Sequence, residues 1–244
     1  MTPLQSHVLT FRHGFFTRAG GVSGGPYASL NCSMSGGDDP ASVRENRARV
    51  ARALGAKPDM LLGLTQVHGA DVVTVDAPWP AGAGGRADAM VTCQPGLVLG
   101  IVTADCAPVL LADTAARVVG AVHAGWRGAV AGVLEATIAA MAAVGAQPGR
   151  IAAVIGPCIR QASYEVGPDL REAVGSAGAA FLAPGRTDHW QFDLAGYCAM
   201  RLRGCGTVDV VDADTFVGDR FWSHRRRTLA GGGPIGHQIS AIVL

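Results

Sequence analysis

Between Leu61 and His123 the chain carries one β-rich run after another with no helical segment between them. Such runs fall at 61–75 on either side of His68, near 89–92, 97–103 and 108–112, and in "RVVGAVHAGWRG" up to His123. A regular doubly wound fold alternates strand and helix, so this succession argues for α+β with mixed β-sheets and flanking helices. Helices are expected elsewhere. Asp39 followed by Pro40 reads as an N-cap and first helical position for a helix through about Leu54. Length and Ala content predict further helices over 126–144, 168–182 and part of 191–206. Later strands are expected at 150–159, within "TVDVVDAD" and within "HQISAIVL". No repeat, charge block or linker divides the chain, so residues 1–244 are expected to form a single domain.

Composition narrows the function classes. A formal net charge of +1 gives no field for gathering nucleic acid or an anionic membrane. No apolar run approaches the ~20 residues of a membrane span, and the first residues lack the layout of a secretion signal. Six cysteines, none in a CxxC pair, then suit free thiols in a reducing cytoplasm.

Chemistry concentrates in "TADCAPVLLADTAARVVGAVHAGWRG". Cys106 and His123 each close an apolar run, as does His68 in "TQVHGADV", and open sheets keep their sites at strand ends. One thiolate and two imidazoles make a set for zinc, and three protein ligands leave a fourth position open, as in catalytic sites. The spacings of 38 and 17 residues match no compact zinc motif. Two other readings therefore stand beside it: a buried Cys with two hydrogen-bonded His, and a Cys–His hydrolase with Cys106 as nucleophile and His123 or His68 as base.

"HAGWRG" reads as a strand end, a tight turn permitted by Gly125, and a helix start. There Arg127 offers a fork for phosphate or carboxylate. Alternatively Trp126 packs in the core and Arg127 pairs with Asp105 or Asp88. On the first helix, Asn46 and Arg47 share the apolar stripe of Val43 and Val50, where they either satisfy carbonyls of the Gly/Ser-rich loop 17–39 or help build a site. Arg225–Arg227 reads as a solvated turn whose first arginine has the option of pointing inward. Cys158 reads as structural, Tyr164 and Glu165 as candidates for a pocket wall, and His7, His13, His189 and His237 show no partner in sequence.

Seven segments together resemble the YfiH family, long called polyphenol oxidase or laccase and now purine nucleoside phosphorylase. In chain order they are "TRAGGVSGGPYASLN", "TQVHGADV", "ADAMVT", "TADCAPVLLAD", "VVGAVHAGWRG", "IGPCIRQASYEVG" and "RFWSHRR", spanning roughly residues 15 to 230. The resemblance implies an αββα-type sandwich and a catalytic zinc on His68, Cys106 and His123. It also implies phosphorolysis of adenosine, inosine, guanosine and S-methyl-5′-thioadenosine, with deamination of adenosine to inosine. Asp105, or else Asp88, is then the candidate proton carrier in deamination. Arg47 and Arg127 are the phosphate candidates, and Asn31, Asn46 and Gln66 are candidates for sugar hydroxyls or base edges. Purine nucleosides and phosphate are the expected partners, with a monomer or small homo-oligomer. Asp214-Thr215 stands where many relatives have Cys-Thr, and the tail after Arg227 is long and Gly-rich, so that edge departs from the pattern. A multicopper oxidase is disfavoured: seven His and no His-x-His cannot supply a blue copper and a trinuclear site, although stray copper suits a His/Cys site.

Overall fold

The computed structural model describes residues 2–244. The first half comprises β1 (His13–Phe15), α1 (Pro40–Ala53), β2 (Leu61–Leu62), β3 (Val72–Thr74), β4 (Ala89–Thr92), β5 (Val98–Thr103), β6 (Ala107–Asp113) and β7 (Val118–Ala124). Then follow α2 (Trp126–Ala131), α3 (Val133–Ala143), β8 (Ala152–Ile155), β9 (Glu165–Val166), α4 (Pro168–Gly178), β10 (Leu182–Pro184) and β11 (Trp190–Phe192). The chain ends with α5 (Leu194–Arg201), β12 (Thr207–Val210), α6 (His224–Leu229) and β13 (Gln238–Val243).

Two mixed sheets dominate, one in the order β1-β13-β5-β2 and one in the order β12-β8-β6-β7-β4-β3; β10-β11-β9 is a small third sheet. Alternating side chains make the layers. On β6, Val109 and Leu111 join the cluster formed with Leu134 and Met141 of α3 and Tyr197 of α5. Leu110 and Ala112 of the same strand face Leu99 and Ile101 of β5 and Ile242 of β13. On the far side, Val98 of β5 and Ile239 of β13 pack with Val50 and Ala51 of α1. The order is helix, sheet, sheet, helices: an αββα sandwich of mixed α and β structure. Both large sheets are covered on both faces, which is why β6 and β7 are buried along all seven of their residues.

Helix α1 starts as expected, with the Asp39 carboxylate accepting from the N–H of Ala41 and Ser42. Two expected helices are broken. Gly132, at φ 98°, divides the run 126–144 into α2 and α3. Gly175, at φ 58°, interrupts α4 before the expected end at 182. Both conformations lie in the left-handed region that favours glycine. The strand expected over 150–159 is shorter and stops at Ile155, before Gly156 and Pro157, the latter having no N–H for the ladder; Gly156 passes so close to Phe15 that a Cβ there would meet its ring at 2.2 Å. No helix among the described residues is long and apolar enough to cross a membrane.

Candidate active site

The chain crosses between the two large sheets at β2–β3, β4–β5, β5–β6 and β12–β13. His68 lies on the β2–β3 crossing and Cys106 on the β5–β6 crossing. Antiparallel pairing sets His123 of β7 opposite Pro108 of β6, and Ala124 opposite Ala107. His123 thus sits inside the end of its strand rather than beyond it. The donor atoms of His68, Cys106 and His123 lie within 4.8 Å of one another. The two imidazole rings meet edge to face at 4.7 Å, and Cys106 Sγ is 3.9 Å from His68 Nε2.

One carboxylate organises this cluster. Asp88, fully buried just before β4, accepts the N–H of Val67 at 3.2 Å, of His68 at 2.9 Å and of Gly69 at 2.7 Å. It also holds His123 Nδ1 at 2.7 Å, which leaves Nε2 as the ring nitrogen that faces the cluster. His68 sits at φ 61°, a backbone conformation that L residues seldom adopt. The three N–H groups converging on Asp88 stabilise that turn. Burial by itself would raise the Asp88 pKa, but the His123 bond and the N–H groups outweigh it and hold the carboxyl below the usual range. Burial would likewise push the Cys106 thiol up, yet the charge and hydrogen bonds of His123, with those of His68, bring it down to about 6. His123 resists its own burial because Cys106 and Asp88 hold its proton, raising it to about 9. Both shifts favour a thiolate–imidazolium pair in the metal-free cluster.

Gly125 has a different reason from the tight turn expected of it. Its φ of −70° is open to any residue. A Cβ there would stand 2.9 Å from His68 Cδ2 and 3.0 Å from Cys106 Sγ, so the position is small to make room for the cluster.

The cluster forms part of the wall of a cavity of about 650 Å³, within the range of small-molecule sites. Arg127 lines it, exposed, with its guanidinium 4.3 Å over the Trp126 ring. Trp126 is half-buried, packs against the helix-side core and also lines the cavity. Arg127 reaches neither Asp88 nor Asp105. Both acids are engaged elsewhere, Asp88 as described and Asp105 at φ 94° with Oδ1 accepting from Thr215 Oγ1 at 2.7 Å. Asp105 Oδ2 accepts from Ser223 Oγ at 2.9 Å and from the N–H of Arg225 at 2.7 Å. Asp88 is fully buried and spent on its four N–H donors, which speaks against it as a proton shuttle, whereas Asp105 lines the cavity and its Oδ1 accepts from Thr215 alone. The departure at Asp214-Thr215 is thereby structural: Thr215 anchors Asp105, and Asp214 holds Ser163 Oγ at 2.7 Å.

Four other expected binding residues are spent on the fold. Asn46 donates to Ser23 Oγ, the carbonyl of Ser29 and the carbonyl of Asn31, and accepts from Val22, tying down the loop 17–39. Asn31 accepts from the N–H groups of Ser33 and His237 and donates to Asp38. Neither lines the cavity. Gln66 does line it, but its amide bonds both the N–H and the carbonyl of Val102, extending the ladder of β5 past the short β2. Arg47 is buried at the cavity wall with its guanidinium on the carbonyls of Cys32 and Leu61.

The expected solvated turn at 225–227 is also corrected. Arg225 donates to the carbonyl of Glu165 at 2.7 Å, lies 5.6 Å from the Tyr164 ring and lines the cavity. Arg226 binds the carbonyls of Thr215, Phe216 and Phe221, and Arg227 that of Gly233. Tyr164 lines the cavity as expected, whereas the Glu165 side chain turns to Arg186. His224 and His237 also line it, without a sequence signal beyond their residue type. Cys158 is buried and its thiol is pushed up to about 12 by that burial, in keeping with a structural role.

An αββα sandwich with a His-Cys-His cluster beside a cationic cavity defines the class. The sequence matches, over residues 12–244, the family described as multi-copper polyphenol oxidoreductase laccase. The purine nucleoside phosphorylase of Deinococcus radiodurans is 44% identical over 226 residues, covering 91% of this chain and 87% of that protein. A purine nucleoside phosphorylase of Streptomyces coelicolor is 48% identical over 224 residues, covering 89% and 93%. The crystal structure of Bacillus licheniformis YfiH superposes with a TM-score of 0.89 at 27% identity, covering 95% of this chain and 92% of that one. The chain belongs to the YfiH family, the same that carries the laccase description.

Proposed function

We propose that this chain, as one domain over residues 1–244, is a zinc-dependent purine nucleoside phosphorylase acting on adenosine, inosine, guanosine and S-methyl-5′-thioadenosine. The observation that carries the reading is a single cavity lined by a His-Cys-His donor group and by an arginine, Arg127, that makes no hydrogen bond or ion pair among the described residues. The names of the relatives support the same activity. His68, Cys106 and His123 suit zinc by their chemistry: a thiolate, an imidazole whose Nε2 Asp88 leaves facing the cluster, and a second imidazole on the solvent side. Zinc bound there supplies Lewis acidity and an exchangeable position.

The remaining chemistry falls to the chain. Phosphorolysis forms a bond from phosphate oxygen to C1′ as the bond to the purine breaks and the purine takes up a proton. Arg127, with Arg225 on the same wall, carries the phosphate and stabilises charge at the reacting centre. Arg47, fixed on two carbonyls, adds positive potential rather than a free fork. Trp126 and Tyr164 offer aromatic faces for the purine. We attach adenosine deamination as a second activity, with Asp105, which lines the cavity, as its candidate proton carrier. A copper oxidase is poorly served, since the described residues hold a single three-residue donor group of His, Cys or acids. Zinc-loaded protein is to be incubated with adenosine, with and without phosphate, beside His123→Ala. Adenine formed only with phosphate and lost in the variant is the expected result by liquid chromatography, and no adenine from the wild-type protein would refute the assignment.

The depressed Cys106 thiol beside His123, itself oriented by Asp88, favours a second reading as a Cys–His hydrolase. The two separate on inhibitors: a hydrolase is inactivated by iodoacetamide and ignores chelators, whereas the zinc enzyme loses activity to chelators and regains it with zinc.

A further inference from the structure

Two polar groups on the cavity wall are left without partners. Thr103, in the same "TADC" segment as Cys106, is 2% exposed and lines the cavity, and its Oγ1 has no hydrogen-bond partner. His237 lines the same cavity, and its buried Nδ1 is likewise unpaired. The fold brings both to the same end of the β5–β13 pair: Thr103 ends β5, and its register partner Gln238 begins β13 directly after His237. Buried polar atoms in native proteins are almost always paired, so two such orphans on one cavity wall mark a place where something else completes them.

The chemistry of that wall differs from the rest of the cavity. The cations Arg127, unpaired among the described residues, and Arg225, which donates to the carbonyl of Glu165, come from α2 and α6, and the aromatic faces come from Trp126 and Tyr164. The wall of β5 and β13 offers a hydroxyl and an imidazole instead. Burial, with the nearby charges of His123, His224 and Arg227, lowers His237 to about 4, so it is neutral at working pH. A rotatable hydroxyl and a neutral imidazole each give and take a hydrogen bond, as do the hydroxyls of a vicinal diol.

We propose that Thr103 and His237 bind the ribose hydroxyls of the nucleoside, fixing the sugar on the β5–β13 wall while the cationic wall holds phosphate. This rests on the phosphorylase reading and names the groups that would make it selective for ribose over deoxyribose. The test compares wild type, Thr103→Val and Thr103→Ser on adenosine, 2′-deoxyadenosine and 3′-deoxyadenosine. Thr103→Val keeps the volume and removes the hydroxyl, Thr103→Ser restores it, and circular dichroism checks folding. Wild type is expected to favour adenosine over at least one deoxy analogue. In Thr103→Val, kcat/KM on adenosine should fall by about tenfold with that analogue little changed, so the preference collapses. Thr103→Ser should recover it. His237→Phe, which keeps a ring without its nitrogens, should narrow the preference as well. An equal loss on all three nucleosides, or no loss, would overturn the assignment. If wild type releases no adenine at all, the phosphorylase reading fails by itself. Calorimetric binding of adenosine and its deoxy analogues then decides the sugar wall: a preference erased by Thr103→Val sustains it, and its absence refutes it.

Discussion

Asp88 carries more of the site than any of the residues it orders. Its four hydrogen bonds fix the backbone of one imidazole and the ring of another, so one buried charge sets two donor positions. Gly125 does the complementary task by leaving space. Because its backbone is unstrained, Gly125→Ala should leave the metal-free fold close to wild type while pressing on His68 and Cys106. A loss of about 10–100-fold in zinc affinity is expected, as for other residues that support metal ligands, measured by chelator competition. The Cys106 thiol gives a pH test. With its folded value near 6, against 9.0 for a free thiol, the thiolate persists as pH falls from 9 and is lost only near 6. Alkylation of Cys106 by iodoacetamide in chelator-treated protein, followed by peptide mass spectrometry, should therefore keep its rate down to about pH 6; a profile centred near 9 would contradict the thiolate–imidazolium pair. The donor residues were legible in the sequence because sulfur and imidazole at strand ends are rare and chemically pointed. Asp88 was not assigned its role, since that depends on β4 pairing with β7, which places it beside His123.

Asp105 works at the level of whole elements. It joins the β5–β6 crossing to the segment at Thr215 and to the start of α6, and its grip on the Arg225 N–H sets where that arginine enters the cavity. Asp105→Asn replaces one carboxylate oxygen with a donor facing donors, which should destabilise the fold by about 1–3 kcal/mol in urea titration. Apparent KM for phosphate should rise several-fold more than KM for nucleoside, because Arg225 is released from its place. An unchanged phosphate KM would remove Arg225 from phosphate binding. The strands around this crossing were readable to within a residue or so, their apolar runs being buried on both faces. The breaks at Gly132 and Gly175 were not, because among 34 glycines the ones that need a positive φ carry no mark in the sequence. The arginine run at 225–227 misled for a related reason: adjacent charges look solvated in sequence, but here Arg225 binds the carbonyl of Glu165 in β9, and Arg226 and Arg227 bind carbonyls of the loops on either side of α6.

Over the whole molecule, the cluster sits where the two sheets exchange chain. His68 and Cys106 lie on separate crossings between the sheets, and His123 belongs to the central part of the six-stranded sheet. An ion held by all three would tie both crossings to that strand, in segments where His68 and Asp105 occupy seldom-used backbone conformations. Such a tie is absent from the unfolded chain, so binding should appear as stability. At free zinc one hundred times the dissociation constant, the gain is about 2.7 kcal/mol. For a chain of this length each kcal/mol moves Tm by about 2–4 °C, which predicts a rise of about 5–10 °C over chelator-treated protein. His68→Ala should abolish most of the zinc-dependent rise while leaving the metal-free Tm nearly unchanged, because His68 is exposed and its turn is held by backbone N–H groups rather than by its ring. Scanning calorimetry with and without zinc on both proteins decides it, and equal Tm values for wild type in the two conditions would remove the metal from the structure's crossings.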